Sequence, residues 1–520
     1  MNTEELYAAA AEQYKAKKFR EALKLLAELR RAEPNHKKAY TLEACIWEDS
    51  SNYVREIDAL KEFLQRANLN APDERAMAAV ALSGLGMACR QLALPQAAIN
   101  YFREAARLIG DNAAAAERIS AALLTGCHAE DFKPENFQAL HAEYKKYLAD
   151  VEPYPRRFYN HERIRIGFMS ADFKLHSVML WSSALLTGLD KAAFAVHCYS
   201  SVKIYDRVTN YLKREVEVWR DISSLTDAEA AHLIRDDEID ILFDLSGHTA
   251  GNRLRVAAYR PASVQISGIG YMNSTGLECM DYFLTDKYCA GDAAYFTEKL
   301  LILPHSHFCF IAPTKSEPAA EPPSVKNGFV TFGSFNQYGK VTDLILRTWK
   351  RILDAVPASR LILKQKVFNT SDGREYVGKR LERFGFDLAR VDMRPYTANY
   401  LEQYADVDIA LDTFPYTGGV TTCEALYMGV PVVSLYGDRH GTRFGLSILS
   451  NIGSEELAVA TPDDYVQRAV VLAKDKELLS LFRTNLRGRL LSSRLMNSTT
   501  YVREVEAVFK NLVRSRPPVI

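Results

Sequence analysis

At 520 residues the chain is too long for one hydrophobic core, because cores stop growing at about 250 to 300 residues, so two or three domains are expected. Its 48% hydrophobic and 25% charged residues are ordinary for a water-soluble protein, and no apolar run is long enough to span a bilayer. Lysine plus arginine (65) balance aspartate plus glutamate (65), which gives no reason to expect nucleic acid or an anionic membrane as partner and makes any anion site a local one.

The first residues, Met1-Asn2-Thr3-Glu4-Glu5-Leu6, lack the basic and then apolar stretches of a secretion signal, and a cytoplasmic location is expected. Eight scattered cysteines without a Cys-x-x-Cys pair are expected to be reduced and buried.

Residues 1–125 are rich in Ala, Leu, Lys and Glu, carry apolar residues at helical spacing and hold almost no β-branched runs, which predicts an all-α segment. An internal repeat runs through it: Ala10, Ala22, Leu26 and Leu29 return as Gly86, Ala98, Phe102 and Ala105, each 76 residues later. A weaker copy, offset by 34, sets Tyr53, Leu60 and Phe63 opposite Phe19, Leu26 and Leu29, with Glu56 where a small residue is expected. Small residues at these places let paired helices approach closely, and stacked pairs bury a shared core while leaving a concave face for a partner. The spacing resembles tetratricopeptide (TPR) repeats; a plain helical bundle is the alternative.

A helical linker over 126–160 ends in Pro153, Tyr154 and Pro155. Apolar strands then alternate with helices, at 164–170, 196–200, 239–246, 264–268 and 282–285, the pattern of buried parallel strands. A stretch rich in Pro, Ala and charge, 317–327, reads as a second linker. A second strand series follows at 329–334, 361–364, 391–394, 409–412 and 432–436. Two Rossmann-like units, 161–316 and 328–520, are therefore expected to face each other across a cleft. The basic residues of the last helices, among them Arg483 and Arg487, are expected on solvated faces.

Within 411–426 the order is strand, glycine loop, then a helix beginning near Val420 and ending before Gly429 and Pro431. Gly418 and Gly419 let backbone approach a ligand, and the free N–H groups of Thr421 and Thr422 at the helix start suit a diphosphate. Glu424, a carboxylate on the first turn, suits a sugar or ribose hydroxyl. Lys340, on the loop after the first strand of the second unit, can neutralise a departing diphosphate without a metal. His176 occupies the equivalent loop of the first unit. Asp406-Val407-Asp408 has the Asp-x-Asp spacing of metal-holding transferases but leads straight into a strand, and a helix-to-strand junction is preferred. His305 and His307 find no third ligand spaced suitably nearby, and no metal is assigned to them.

Met169-Ser170-Ala171-Asp172-Phe173 with His176, Phe335-Asn336-Gln337 with Lys340, and Leu411-Asp412-Thr413 leading into Gly418-Gly419-Val420-Thr421-Thr422 together resemble the O-linked N-acetylglucosamine transferase family, including its bacterial and SPINDLY-like members. Asp244-Leu245-Ser246-Gly247-His248-Thr249, Gly270-Tyr271 and Met280-Asp281-Tyr282 support it, and the resemblance runs from about residue 160 to the end. It implies a GT-B fold behind TPR-like repeats, and an inverting transfer of N-acetylglucosamine from UDP-GlcNAc to Ser or Thr hydroxyls of a protein, with no metal and no other cofactor. His176 and Lys340 would be catalytic. Asn336, Gln337, His248, Gly418, Gly419, Val420, Thr421, Thr422 and Glu424 would bind the UDP-sugar, and the repeats would hold the protein acceptor or a second copy of the chain.

The glycine loop lacks the His that precedes the Thr pair in animal enzymes, which opens the donor sugar to glucose as well as GlcNAc. A protein N-glucosyltransferase using UDP-glucose on Asn is the nearest alternative. A TPR scaffold with inactive transferase units, and transfer to a small molecule or glycan, are the others.

Overall fold

The computed structural model describes residues 1–312 and 316–515. Residues 313–315, at the expected end of the first strand unit, and 516–520, at the end of the second, lie outside the described residues.

Eight helices open the chain: α1 (Thr3–Lys15), α2 (Phe19–Ala32), α3 (Lys37–Asp49), α4 (Tyr53–Arg66), α5 (Pro72–Gln91), α6 (Pro95–Leu108), α7 (Asn112–Gly126) and α8 (Pro134–Lys146). The repeated positions are where paired helices touch. Ala10, Ala22, Leu26 and Leu29 are buried in one cluster, and Ala98, Phe102 and Ala105 are buried too. Phe102 stands where the first copy has Leu26, and the larger ring is accommodated by Gly86 in place of Ala10: a Cβ on Gly86 would lie 2.6 Å from the Phe102 ring. Glu56, the misfit of the second copy, is buried in α4, and burial pushes its carboxyl up to about 8, so it sits there protonated at neutral pH.

The repeats are not a detachable arm. The first helices pack on two small clusters of their own, but Cys89, Phe102, Ile119, Leu123 and Phe137 belong to the same continuous core as the strands. Asn52 and Arg55 reach Asp372, and Tyr376 donates to the carbonyl of Leu92, so the array also rests on the far unit.

The first sheet holds β1 (Ile164–Ser170), β2 (Phe194–Ser200), β3 (Val218–Asp221), β4 (Ile241–Asp244), β5 (Val264–Gly268), β6 (Tyr282–Asp286) and β7 (Lys299–Leu303), all parallel, in the order β3-β2-β1-β4-β5-β6-β7. The second holds β8 (Thr331–Ser334), β9 (Arg360–Lys364), β10 (Val391–Arg394), β11 (Ile409–Leu411), β12 (Val432–Leu435) and β13 (Ala458–Val459), again parallel, in the order β10-β9-β8-β11-β12-β13. Three strands were not expected: β3, β7 and β13. In each sheet the strand order reverses beside the first strand, and ligands of such sheets bind outside the carboxyl ends of the strands at that switch point. The loops after β1, β4, β8 and β11 are those that carry the sequence motifs.

Two expectations are corrected. Arg483 is not on a solvated face: it is buried and donates to the carbonyls of Met428 and Val407, while Arg487 lies over the Tyr427 ring. Of the cysteines, all free, Cys45 is exposed and Cys279 half-buried; the other six are buried as expected. The last helix, Ser498–Arg514, crosses back onto the first unit, where Phe509 meets Phe194 and Phe243. Among the described residues, no helix is long and apolar enough to cross a membrane.

Candidate functional site

A cavity of about 470 Å³ lies between the two units. From the first unit come Ser177, Val178 and Trp181 of helix α9 (Ser177–Gly188), with Gly270, Tyr271 and Phe308; from the second come Asn336, Gln337 and Lys340, the glycine loop and the start of helix Val420–Tyr427. The loops after β8 and β11 therefore reach the cleft from the carboxyl ends of strands beside a switch point, and the start of α9 follows the loop after β1.

Asp412 organises the second unit's side. Fully buried, it accepts from the N–H of Thr413 (2.8 Å) and of Gly418 (2.7 Å) and from Asn336 Nδ2 (3.2 Å) at one oxygen, and from Ser434 Oγ (2.7 Å) at the other. Thr421 Oγ1 in turn donates to Asn336 Oδ1 at 2.8 Å. The glycine loop is thus bent back on its own strand, and a Cβ at Gly418 would collide with the hydroxyls of Thr421 and Thr422. Helix Val420–Tyr427 has Gly419 as its N-cap and no side-chain cap, so its first N–H groups are left for whatever enters the cavity.

Lys340 is the cation beside that helix start. Its Nζ sits 3.6 Å from the centroid of the Tyr416 ring and 3.4 Å from the carbonyl of Thr417. Burial pulls its pKa down to about 8, partly offset by Asp412. A buried ammonium without a carboxylate partner in contact is a site prepared for an anion. If Lys340 acts as the cation, kcat/KM should fall as pH rises through about 8, since the charged form is lost above its pKa, and this limb should vanish in Lys340→Arg, whose guanidinium stays charged. A pH–rate profile of both proteins checks this.

Glu424 also lines the cavity; burial pushes its carboxyl up to about 7, and Tyr400 donates to it. His176 is the N-cap of α9, exposed and not among the residues that line the cavity, though its neighbour Ser177 is, with Nδ1 3.6 Å from Asp172. Partial desolvation by its neighbours lowers its pKa, which favours the neutral imidazole a base requires.

His248 is a correction. It is not at the cavity: it is buried between the helical region and the first sheet, with Ser120 Oγ donating to its Nδ1 (2.8 Å) and its Nε2 donating to the carbonyl of Thr275 (2.9 Å). Both nitrogens are used, and burial lowers its pKa to about 3, so it stays neutral. The Thr422 hydroxyl is buried beneath the loop, and Thr422 can meet a ligand only through its backbone. Asp406 pairs with Arg394 and Asp408 accepts from the N–H groups of Ser324 and Thr331, so the Asp-x-Asp stretch is spent on the junction into β11.

Sequence reasoning missed the aromatic lining, Trp181, Tyr396, Tyr400 and Phe444, and the polar pair Lys364 and Gln365 at the end of β9. Tyr271 and Tyr416 lay inside quoted motifs without a role. The signal available was position: Lys364 and Gln365 close the strand next to the switch-point strand β8.

A model of glycosyl transferase family 41 matches residues 136–312 and 323–505. A tomato (Solanum lycopersicum) protein described as a probable UDP-N-acetylglucosamine–peptide N-acetylglucosaminyltransferase, SPINDLY, is 40% identical over 358 residues, 67% of this chain and 38% of its own. The UDP-N-acetylglucosamine–peptide N-acetylglucosaminyltransferase of Caenorhabditis elegans is 25% identical over 467 residues, covering 67% of this chain and 40% of its own. The chain thus spans about two fifths of the length of these curated relatives. The solved structure of a Thermobaculum terrenum O-GlcNAc transferase mutant superposes with a TM-score of 0.84 at 27% identity, covering 98% of this chain and 97% of that one.

Proposed function

The chain belongs to glycosyl transferase family 41 and has the GT-B fold behind helical repeats, and from that premise we propose that it transfers N-acetylglucosamine from UDP-GlcNAc to Ser or Thr hydroxyls of a protein, with inversion and without a catalytic metal. The observation that carries this reading is the pairing of a buried lysine with an uncapped helix start at one wall of an interdomain cavity. In the reaction the acceptor oxygen bonds to the anomeric carbon as the bond from that carbon to the diphosphate oxygen breaks. The electron pair leaves with UDP, where Lys340 and the N–H groups of Val420, Thr421 and Thr422 meet the new charge. His176 orients the acceptor hydroxyl and takes its proton. Asn336 and Gln337 flank the diphosphate, and Glu424 accepts from a hydroxyl of the ribose or sugar.

A second cavity, about 560 Å³, supports the acceptor side of the proposal. It runs between Arg103 and Glu143 of the helical region and Thr342 and Arg380 of the second unit, and Gly339 and Val341, the neighbours of Lys340, line it. One loop would then face the donor on one side and the acceptor chain on the other.

The test is a donor panel with the full chain and a lysate as acceptor source, read by mass spectrometry. UDP-GlcNAc should add N-acetylhexosamine to Ser or Thr, and added Mg²⁺ or Mn²⁺ should leave the rate unchanged. Hexose on Asn from UDP-glucose, turnover only with another nucleotide sugar, or a rate that depends on the added ion would each replace this reading.

A further inference from the structure

We propose that Cys289, His307 and His440 bind a zinc-class divalent ion that ties the two units together behind the donor cavity. Among the described residues these three offer one sulfur and two imidazole nitrogens within 4.8 Å of one another, all buried. They come from three loops: after β6, after β7 and after β12. The first two belong to one sheet and the third to the other, which is why spacing around His307 reveals no third ligand.

The side chains are set as ligands. His307 Nδ1 lies 2.5 Å from Asp286 Oδ2, which also accepts the His307 N–H and Ser447 Oγ, so the proton is held on Nδ1 and the Nε2 lone pair is turned inward without a partner. A carboxylate behind a ligating histidine fixes its tautomer in this way. Both ring nitrogens of His440 are buried beside the Met272 backbone, and neither makes a hydrogen bond of good geometry. Two adjacent buried imidazoles with centroids 4.9 Å apart, the inward nitrogen of His307 unpartnered, are an unusual arrangement for a metal-free core.

Cys289 Sγ donates to the carbonyl of Arg443 (3.4 Å). On binding, the ion replaces the thiol proton, which leaves to solvent. A sulfur and two imidazoles select a borderline-soft ion such as Zn²⁺ over Mg²⁺ or Ca²⁺, and water takes the fourth position. Donors around tetrahedral zinc are about 3.5 Å apart, so the three atoms need only draw together by about 1 Å.

The surroundings fit a structural ion. Phe283, Phe296 and Phe444 ring His440, and the backbone on both sides is already joined across the units, Asp292 N donating to Asp438 O and Arg443 Nε to Tyr288 O. Phe308 and Phe444, which contact the two histidines, line the donor cavity from its other side. The ion would stand behind that wall, away from the diphosphate, so the proposal is independent of the metal-free transfer.

The full chain, freed of metal by a chelator and still folded by circular dichroism, is titrated with Co²⁺ and separately with Zn²⁺. One equivalent of Co²⁺ should give an intense thiolate-to-cobalt absorption, Zn²⁺ should displace it, and Zn²⁺ should raise the thermal midpoint. Cys289→Ser should lose the thiolate band, His440→Gln should bind at least tenfold more weakly, and His305→Gln, whose histidine pairs with Glu504 elsewhere, should behave as the parent. A folded parent chain that shows no thiolate band with Co²⁺ overturns the proposal whether or not the variants fold, as does an undiminished band in Cys289→Ser.

Discussion

Lys340→Ala is expected to lower turnover at saturating donor by at least 100-fold. Departure of the diphosphate builds negative charge, and a site that uses no metal must meet it with fixed cations and N–H donors; one such preorganised group contributes about 3 kcal/mol, or about two decades in rate. Among the described residues lining the cavity, Lys364 is the other cation, and its ammonium is already bound to the carbonyl of Pro395 and the hydroxyl of Thr397. Lys340 has no contact of that strength; its partners are a ring face and one long hydrogen bond. The fold should hardly notice the change. Burial disfavours the charged amine, as its lowered pKa records, so truncation removes an unfavourable charge together with some packing on Tyr416. Near-normal turnover of a folded Lys340→Ala protein with saturating UDP-sugar would defeat the proposed chemistry.

The parts legible in the sequence are those set by short-range rules. Central parallel strands must be apolar throughout, and β1, β4, β5, β8 and β11 could be placed for that reason. Edge strands escape the rule: β3 is Val-Trp-Arg-Asp and half-exposed, and β13 has two residues. The glycine loop and its helix were readable because glycine, helix start and following proline are local signals. Contacts made across the fold were not. His248 looks like a ligand residue in its loop, yet its partner is Ser120, 128 residues away. Arg483 looks solvated on its helix, yet it answers two carbonyls exposed by chain turns at Val407 and Met428. His307 lacked a companion in the sequence because His440 comes from the other sheet.

Asp412 lies between these two cases, since its motif was readable but its role was not, and Asp412→Ala is expected to cost rate as well as stability. The carboxylate is buried and burial pushes its pKa up to about 6, so the ionised form at neutral pH is held against its desolvation by the donors around it. The fold therefore gains little net free energy from the charge. What the charge does is geometric: it bends the glycine loop through Gly418 N–H and holds Asn336, which holds Thr421. Alanine leaves those donors unpaired in the interior, a penalty of about 1 to 3 kcal/mol for each that finds no new partner, and frees the loop that aims the helix N–H groups at the cavity. Displacement of a positioning element by about 1 Å can cost about 100-fold in rate, so turnover should fall by at least that much while the protein remains folded at room temperature. Urea unfolding and UDP calorimetry on the same preparation separate the two effects. A variant that loses several kcal/mol of stability yet keeps its turnover within tenfold would make Asp412 a structural residue and leave the loop's geometry to others.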